Sequence, residues 1–445
     1  MQSTNINGPI PPFIGNCNQL QDLDLSYNNI SGPIPSFIGN CNQLQGLDLS
    51  DNNFSGLIPP SFANLSQLSY LIMENNNING PIPPDICRLS SLVYLILSNN
   101  KLSGTVPSSI FNQVDLTVLI LSSNEKLTGE IPSAVCELKS LQILDLSSNN
   151  FSGPIPQCLG NFSSSLSVLH LGVNNFNGVL PQVFSEGSNV RYLNFNGNQL
   201  QGKIPTSISN CKDLEILDMG NNEIEDTFPS FLQTLQKLQI LQLRSNRLHG
   251  NNFTGKIPKS VGKLKGLKQL NMSHNHLTGN IEPLIGNLTN LETLDLSSNN
   301  LTGRIPIQLA TLTSLEVFRV SHNQLEGPIP TGPQFNTFDN SSYEGNTRLC
   351  GFPLQKACNS GERQQVTTPS GEEDSNSDEK GFGWKSVFTG YAFGAVFGLA
   401  MGYLVFRTRK PAWLVKLIEG EGHPRPKRSI NNTCISYQRR RRRRN

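Results

Sequence analysis

The sequence has few charged residues, and the charges of opposite sign nearly cancel. Only 15% of the 445 residues are charged, with 35 Lys and Arg against 33 Asp and Glu. This balance argues against a nucleic-acid partner, because binding to phosphates depends on an excess of positive charge. The glycine-rich, V-A-I-K, H-R-D and D-F-G motifs of protein kinases are also missing, and no catalytic constellation stands out. We therefore expect no enzymatic activity, no cofactor and no bound metal.

Asparagine, serine, glycine, proline and leucine dominate instead, and they recur in a fixed order. The pattern L-x-x-L-x-L-x-x-N-x-L-x-G-x-I-P repeats with a period of 24 residues. Its asparagine occurs at positions 28, 52, 76, 100, 124, 149, 174, 198, 222, 246, 275, 299 and 323. Such a repeat predicts one continuous solenoid rather than the two or three domains expected from length alone.

Each residue type in the repeat has a physical role. The L-x-L segment predicts a short strand whose leucines point into the core, and successive strands pair in parallel. The asparagine can bond buried backbone groups where the chain leaves the strand, so stacked copies form a ladder. Glycine and the Ile-Pro step turn the chain back. The predicted fold class is therefore α/β: a solenoid with a parallel sheet on its concave face and short strands and 3-10 or irregular segments on its convex face.

The G-x-I-P step, as in Gly153-Pro154-Ile155-Pro156, resembles the plant-specific subclass of leucine-rich repeats. The resemblance covers residues 1–338 and implies an extracellular superhelical ectodomain like those of plant receptor kinases and receptor-like proteins. The following segment, Asn346 to Leu354 with the pattern N-x-x-L-C-G-x-P-L, resembles the C-terminal cap of those receptors. We therefore predict a cap over residues 339–360, closed by a disulfide between Cys350 and Cys358.

The repeat is irregular at two places. The first residues already form the back half of a repeat, with neither a signal peptide nor a capping segment before them, so we expect an N-terminal truncation. The asparagine interval grows to 29 between Asn246 and Asn275, and two half-repeats meet at residues 247–255. A tolerated convex insertion would explain this junction. We favour the loss of a longer segment, because related receptor-like proteins carry a non-repeat island before about four final repeats.

Residues 386–406 contain no charge and are long enough to cross a hydrocarbon core of about 30 Å as one helix. An acidic spacer over residues 361–385 precedes them and a basic tail, residues 407–445, follows. The positive-inside rule places the tail in the cytoplasm and the repeats outside, as in a single-pass type I plasma-membrane protein. Four glycines at every fourth position predict a face for contact with another helix, although glycine is also common in such helices. These glycines are Gly390, Gly394, Gly398 and Gly402.

Recognition by such a horseshoe should use the solvent-facing residues of the concave strands. Three consecutive repeats carry an apolar set where other repeats are polar, and a polar and aromatic set follows. The alternative is that exposed β-branched residues merely favour strands. The candidate ligand contacts are Tyr70, Ile72, Tyr94, Ile96 and Ile120, followed by His170, Arg191, Tyr192 and Asn194.

Ten N-x-[ST] sequons precede the span and predict a glycosylated, secreted surface. They are Asn29, Asn53, Asn64, Asn150, Asn161, Asn252, Asn271, Asn287, Asn300 and Asn340. Six of the nine cysteines fall just before or between repeat leucines, where we expect small buried thiols. These are Cys17, Cys41, Cys87, Cys136, Cys158 and Cys211, and Cys434 is expected to be unpaired.

The order of repeats, cap, acidic spacer, glycine-rich span and short tail resembles the tomato Cf-type disease-resistance receptor-like proteins. So do Gly381-Phe382-Gly383-Trp384-Lys385 and Pro411-Ala412-Trp413 around the span. The resemblance implies recognition of a microbial protein or peptide, and signalling through partner leucine-rich-repeat receptor kinases. Three alternatives stay open: a developmental receptor for an endogenous peptide, a secreted inhibitor of microbial wall-degrading enzymes (against which the span counts), and a non-functional product of a truncated gene.

Overall fold

The computed structural model describes residues 5–161, 165–245 and 253–358. The predicted spacer, membrane span and tail lie outside these ranges, as do Asn252, Cys434 and most of the irregular junction. No helix within the described ranges is long and apolar enough to cross a membrane. The described residues form a stack of similar turns, and nearly every turn contributes an inner strand, an outer strand and a 3-10 helix.

The inner sheet is built from the predicted L-x-L segments. Within the described residues it has thirteen parallel strands in sequence order, so no strand crosses over another. In every strand the middle residue is buried and its two neighbours lie on the opposite face, as strand geometry requires. The strands are Asp22–Asp24, Gly46–Asp48, Tyr70–Ile72, Tyr94–Ile96, Val118–Ile120, Ile143–Asp145, Val168–His170, Tyr192–Asn194, Ile216–Asp218, Ile240–Gln242, Gln269–Asn271, Thr293–Asp295 and Val317–Arg319.

Two outer sheets run along the stack, and both are parallel. The first comprises Asn7–Gly8, Asn29–Pro33, Asn53–Gly56, Asn77–Gly80, Lys101–Thr105, Lys126–Gly129, Asn150–Pro154, Asn175–Val179, Gln199–Gly202 and Glu223–Ile224. The second comprises Asp226–Thr227, Phe253–Lys256, His276–Asn280, Asn300–Gly303, Gln324–Pro328 and Arg348–Cys350. The inner sheet continues past the irregular junction, because Ile240 pairs with Gln269. The five extra residues are therefore accommodated without interrupting it.

Short 3-10 helices complete most turns. Most of them begin directly after the proline of the Ile-Pro step, because proline fixes φ and lacks the N–H that a continuing strand would need. They are Pro12–Asn16, Ser36–Asn40, Pro60–Asn64, Pro84–Arg88, Ser108–Asn112, Ser133–Glu137, Gln157–Leu159, Thr206–Asn210, Ser230–Thr234, Lys259–Lys263, Pro283–Asn287, Ile307–Thr311, Phe335–Thr337 and Asn340–Ser342.

The recurring asparagine ties consecutive turns together. The side-chain nitrogen of Asn76 donates to the carbonyl oxygen of Leu49 in the preceding turn at 2.9 Å and to that of Glu74 at 3.0 Å. Its side-chain oxygen accepts the backbone N–H of Phe54 at 2.9 Å. One buried amide thus satisfies backbone groups of two turns, which explains why the residue recurs at each turn.

The C-terminal cap closes the core with aromatic rings. The ring of Phe318 lies 4.9 Å from Phe335, 5.7 Å from Phe338 and 5.9 Å from Tyr343, measured between centroids. Asn346 occupies a further ladder position, with its side-chain oxygen accepting the N–H of Leu325 at 3.0 Å. Cys350 and Cys358 form a disulfide, with 5.1 Å between their Cα atoms.

The expectation of six small buried thiols is wrong in part. Cys136 and Cys158 form a disulfide that joins Ser133–Glu137 to Gln157–Leu159 in the next turn, with 5.8 Å between Cα atoms. Stacking brings the 3-10 helices of neighbouring turns together, and here a cysteine faces a cysteine. Cys17 is a free thiol but exposed, Cys87 is half-buried, and Cys41 and Cys211 are free and buried as expected.

Candidate ligand-binding face

One row of residues on the open face of the inner sheet brings the two predicted ligand-contact sets onto one continuous surface. It is formed by the last residue of each strand, and neighbours pair in register. In order, the row contains Asp24, Asp48, Ile72, Ile96, Ile120, Asp145, His170, Asn194 and Asp218. The apolar set and the polar set are thus separated only by the strand that ends in Asp145.

The apolar patch comprises Tyr70, Ile72, Tyr94, Ile96 and Ile120 on three neighbouring strands. The rings of Tyr70 and Tyr94 stack, with centroids 4.9 Å apart and planes inclined by 24°. Tyr70 is 46% exposed, and the three isoleucines are half-buried. A stacked aromatic pair with one exposed ring, next to half-buried aliphatic side chains, is a surface suited to the apolar groups of a ligand.

Carboxylates border the patch on its N-terminal side; we call Asp24, Asp48, Asp51 and Glu74 the acidic border. Asp48 Oδ1 accepts the N–H of Ser50 at 2.9 Å and its hydroxyl at 2.6 Å. Burial raises the pKa of Asp48, and the nearby charges of Asp24 and Asp51 raise it further, although Ser50 lowers it. Burial likewise raises the pKa of Glu74, against the hydrogen bond from Ser98.

A polar cluster borders the patch on its other side and comprises Asp145, His170, Tyr192, Asn194 and Asp218. His170 Nδ1 lies 3.4 Å from Asp145 Oδ1, and the histidine ring packs edge-on against Tyr192 with centroids 5.4 Å apart. Asn194 Nδ2 donates to the hydroxyl of Tyr192 at 3.1 Å. Burial acts to raise the pKa of Asp145, but the hydrogen bond and charge of His170, together with Ser147, lower it on balance.

Arg191, the remaining predicted contact, is engaged by a neighbouring repeat. Its guanidinium lies against one carboxylate oxygen of Glu215, at 2.6 Å from Nη2 and 3.0 Å from Nε. The structure therefore brings His170, Tyr192 and Asn194 together, while Arg191 is held in an ion pair by Glu215. Asp145, which pairs with His170, is not among the contacts predicted from the sequence. The signal that could have found it is the repeat register, which aligns the two positions.

The sequons leave most of this face open. Asn29, Asn53, Asn150 and Asn300 each begin an outer strand, and Asn64 and Asn287 end 3-10 helices. Asn161 and Asn340 are also exposed and outside the inner sheet. Asn271 differs, because it is half-buried in the inner strand Gln269–Asn271. Glycans on the exposed sequons would therefore not cover the apolar patch.

The described part of the chain assembles no group of three or more His, Cys, Asp or Glu side chains that could hold a metal ion.

Comparison with sequence families matches the repeats. The model described as "Leucine rich repeat" matches residues 18–78, 90–151 and 164–224. Two related models, "Leucine Rich Repeat" and "Leucine Rich repeats (2 copies)", match residues 266–288 and 289–330. The matched segments together cover more than half of the chain.

Similar proteins include Receptor-like protein 9DC3 and Receptor-like protein Cf-9, both of Solanum pimpinellifolium. They are 43% and 42% identical to this chain over 88 residues, which are 19% of this chain and 10% of each relative. The matching part thus spans about a tenth of the length of these relatives.

Among solved structures, the fold is similar to that described as "Plant peptide hormone receptor RGFR1 in complex with RGF2". The TM-score is 0.67 with 30% sequence identity, over 77% of this chain and 58% of that chain. The similarity extends over most of the described solenoid.

Proposed function

Because the chain belongs to the leucine-rich-repeat family and is related to plant receptor-like proteins, we propose that it is a plasma-membrane receptor that recognises an extracellular protein or peptide. The observation that carries this proposal is the apolar patch. Its Tyr70–Tyr94 stack has one exposed and one half-buried ring, and it lies on a face that the exposed sequons leave open.

We assign the ligand to a pathogen and the output to plant defence. Similarity to Receptor-like protein Cf-9 supports this assignment. A developmental receptor for an endogenous peptide is the second candidate, and the similarity to RGFR1, a peptide hormone receptor, favours it. In both cases the proposed anchor is residues 386–406. Signalling then requires a partner receptor kinase, contacted through the ectodomain and the face formed by Gly390, Gly394, Gly398 and Gly402.

Peptide binding can be tested without knowing the natural ligand. Full-length protein in detergent is used to select from a display library of random twelve-residue peptides. We expect the wild type to enrich a related group of peptides, and the double variant Tyr70→Ala/Tyr94→Ala to lose them. Phe13→Ala is the matched control, because Phe13 is 62% exposed in the 3-10 helix Pro12–Asn16, away from the inner sheet. Equal enrichment by the double variant would contradict the proposal.

The membrane assignment has its own test. The chain is preceded by a secretory signal peptide, tagged directly after that peptide and at the C-terminus, and expressed in plant cells, and intact cells are treated with protease. We expect loss of the N-terminal tag and protection of the C-terminal one. For the helix contact, receptor kinases are co-purified with the protein after the four glycines are changed to leucine. Undiminished recovery would rule out the glycine face as their docking site.

A further inference from the structure

We propose that the recognised segment is cationic, with a Lys or Arg side chain next to an apolar or aromatic one. The apolar side chain packs on Tyr70 and Tyr94, and the cation binds beside them between Asp22 and the acidic border. This inference rests on the proposed function, since it specifies the ligand of the same face.

The charge distribution is the first argument. An inner-sheet segment runs from the residue before each inner strand to the recurring asparagine of that repeat. The first six of these segments, of which the first begins at Gln21 and the sixth ends at Asn149, carry six carboxylates and no Lys or Arg. The carboxylates are Asp22, Asp24, Asp48, Asp51, Glu74 and Asp145. The cations of residues 5–161 lie elsewhere, on or beside the 3-10 helices and at the starts of outer strands: Arg88, Lys101, Lys126 and Lys139. A face of one sign attracts the opposite sign.

The position of the carboxylates relative to the patch is the second argument. Asp48 pairs in register with Ile72, so it is the immediate neighbour of the patch. Glu74 follows Ile72 by two residues, just beyond the end of the strand, and the buried Met73 between them directs Glu74 to the same side as Ile72. A ligand packed on Tyr70 therefore has carboxylates of two repeats near it.

The third argument is that Gly46 lets Asp22 extend towards Tyr70. Gly46 pairs with Tyr70 in register, so no side chain lies directly beside that tyrosine on its N-terminal flank. A Cβ on Gly46 would lie 2.5 Å from Asp22 Oδ1, so the Asp22 carboxylate extends over the glycine. The Asp22 carboxylate thus lies above Gly46, which is the residue paired with Tyr70. A carboxylate on the flank of an aromatic ring suits a guanidinium or ammonium group, which is attracted by both.

The carboxylates have no counter-ions of their own. Among the described residues, none of Asp22, Asp24, Asp48 and Glu74 forms an ion pair, whereas carboxylates further along the sheet do. Arg191 binds Glu215 at 2.6 Å, and Lys268 lies 4.0 Å from Glu292. Burial and neighbouring carboxylates also raise the pKa values of Asp48 and Glu74, as expected for acids that lack a cation. The part of the face that holds the patch thus carries carboxylates without ion pairs and no Lys or Arg.

The experiment uses the same peptide selection and measures the amino-acid composition of the enriched peptides. Wild-type protein is expected to enrich peptides with Lys or Arg close to an apolar residue. The triple variant Asp22→Asn/Asp48→Asn/Glu74→Gln should lose the Lys and Arg enrichment but keep the apolar one. Its matched control is Asp85→Asn/Glu130→Gln/Glu137→Gln, which changes the net charge equally outside the inner sheet. Unchanged thermal unfolding of both variants verifies that they fold.

A selected peptide is then synthesised and its affinity measured. We expect roughly tenfold weaker binding to the triple variant than to the control, and weaker binding at higher salt. The wild type could instead enrich neutral or acidic peptides that the variant Tyr70→Ala/Tyr94→Ala fails to enrich. That result would overturn the cationic assignment and leave the proposed function standing. A wild-type pool identical to that of the tyrosine variant would overturn both.

Discussion

His170 Nδ1 lies 3.4 Å from Asp145 Oδ1, across two neighbouring strands of the inner sheet. The two residues occupy the same position of consecutive repeats, where Asp145 pairs in register with His170. The contact counteracts the burial of Asp145 and lowers its pKa. A residue that interrupts the aspartate row thus stabilises the charge of its neighbour.

Replacing His170 with Ala should destabilise the protein in a pH-dependent way. Because the folded-state pKa of Asp145 is lowered, its ionisation stabilises the fold above the ordinary Asp pKa, and this contribution is lost as the pH falls through the folded value. We expect a loss of about 1 kcal/mol near pH 6 that shrinks towards pH 3. Chemical unfolding across this range measures it. His276→Ala, at the exposed start of an outer strand, is the control, and a pH-independent loss would contradict the account.

Replacing any one of the recurring buried asparagines should lower the free energy of unfolding. Asn100 Nδ2 donates to the carbonyl oxygen of Met73 at 2.8 Å, and Asn100 Oδ1 accepts the N–H of Ile78 at 3.0 Å. Asn100→Ala leaves these buried groups unpaired, so we expect a loss of about 3 kcal/mol. Hydrogen exchange should show faster exchange of the Ile78 amide. Asn112→Ala, at the exposed end of a 3-10 helix, should leave stability and exchange unchanged.

Tyr343→Phe should stabilise the cap. Tyr343 is fully buried, its hydroxyl has no hydrogen-bond partner within the described residues, and burial raises its pKa. Removing an unsatisfied buried hydroxyl should add about 1 kcal/mol to the free energy of unfolding. Tyr343→Leu is the comparison, because it also loses the ring packed on Phe318 and should destabilise. Thermal unfolding separates the two variants, and a destabilised Tyr343→Phe would reveal a partner for the hydroxyl.

Removing the Cys136–Cys158 disulfide should loosen the turns that it joins. The bond closes a loop over a sequence separation of 22, for which chain entropy predicts about 3 kcal/mol. In Cys136→Ser/Cys158→Ser we expect a lower unfolding midpoint and faster amide exchange concentrated between these residues. Cys17→Ser, which changes an exposed free thiol, should have no such effect. A uniform change along the whole solenoid would argue against a local role.

Glycan occupancy should differ between sequons that the sequence alone treats as equal. Asn271 is half-buried, and its side-chain oxygen accepts the N–H of Ser273 at 3.0 Å and its hydroxyl at 2.8 Å. Asn64 and Asn287 are exposed at the ends of 3-10 helices. Mass spectrometry of glycopeptides from plant-expressed protein should find glycans at Asn64 and Asn287 and none at Asn271. Full occupancy at Asn271 would show that this strand is accessible before the sheet closes.

Much of the solenoid could be predicted from the sequence because its interactions repeat with the sequence period. Asn76 and Asn100 make the same hydrogen bonds in consecutive turns, so the structure predicted for one repeat also applies to the others. The pairing of Arg191 with Glu215 follows the same 24-residue register and could have been anticipated. The Cys136–Cys158 bond could not, because these cysteines occupy different positions in their 3-10 helices, and pairing depends on the distance and direction of side chains.

The candidate face shows the same division between sequence and structure. The alternation of leucines determined by itself that Tyr70, Ile72 and Tyr94 lie on the open face of a parallel sheet, because side chains alternate along strands. Only the tertiary structure decided that the two tyrosine rings stack, that Arg191 is held by Glu215, and that the Asp22 carboxylate extends over Gly46. Periodicity assigns a residue to a face, whereas ring stacking, ion pairing and the direction of a carboxylate depend on rotamers and on the side chains of adjacent turns.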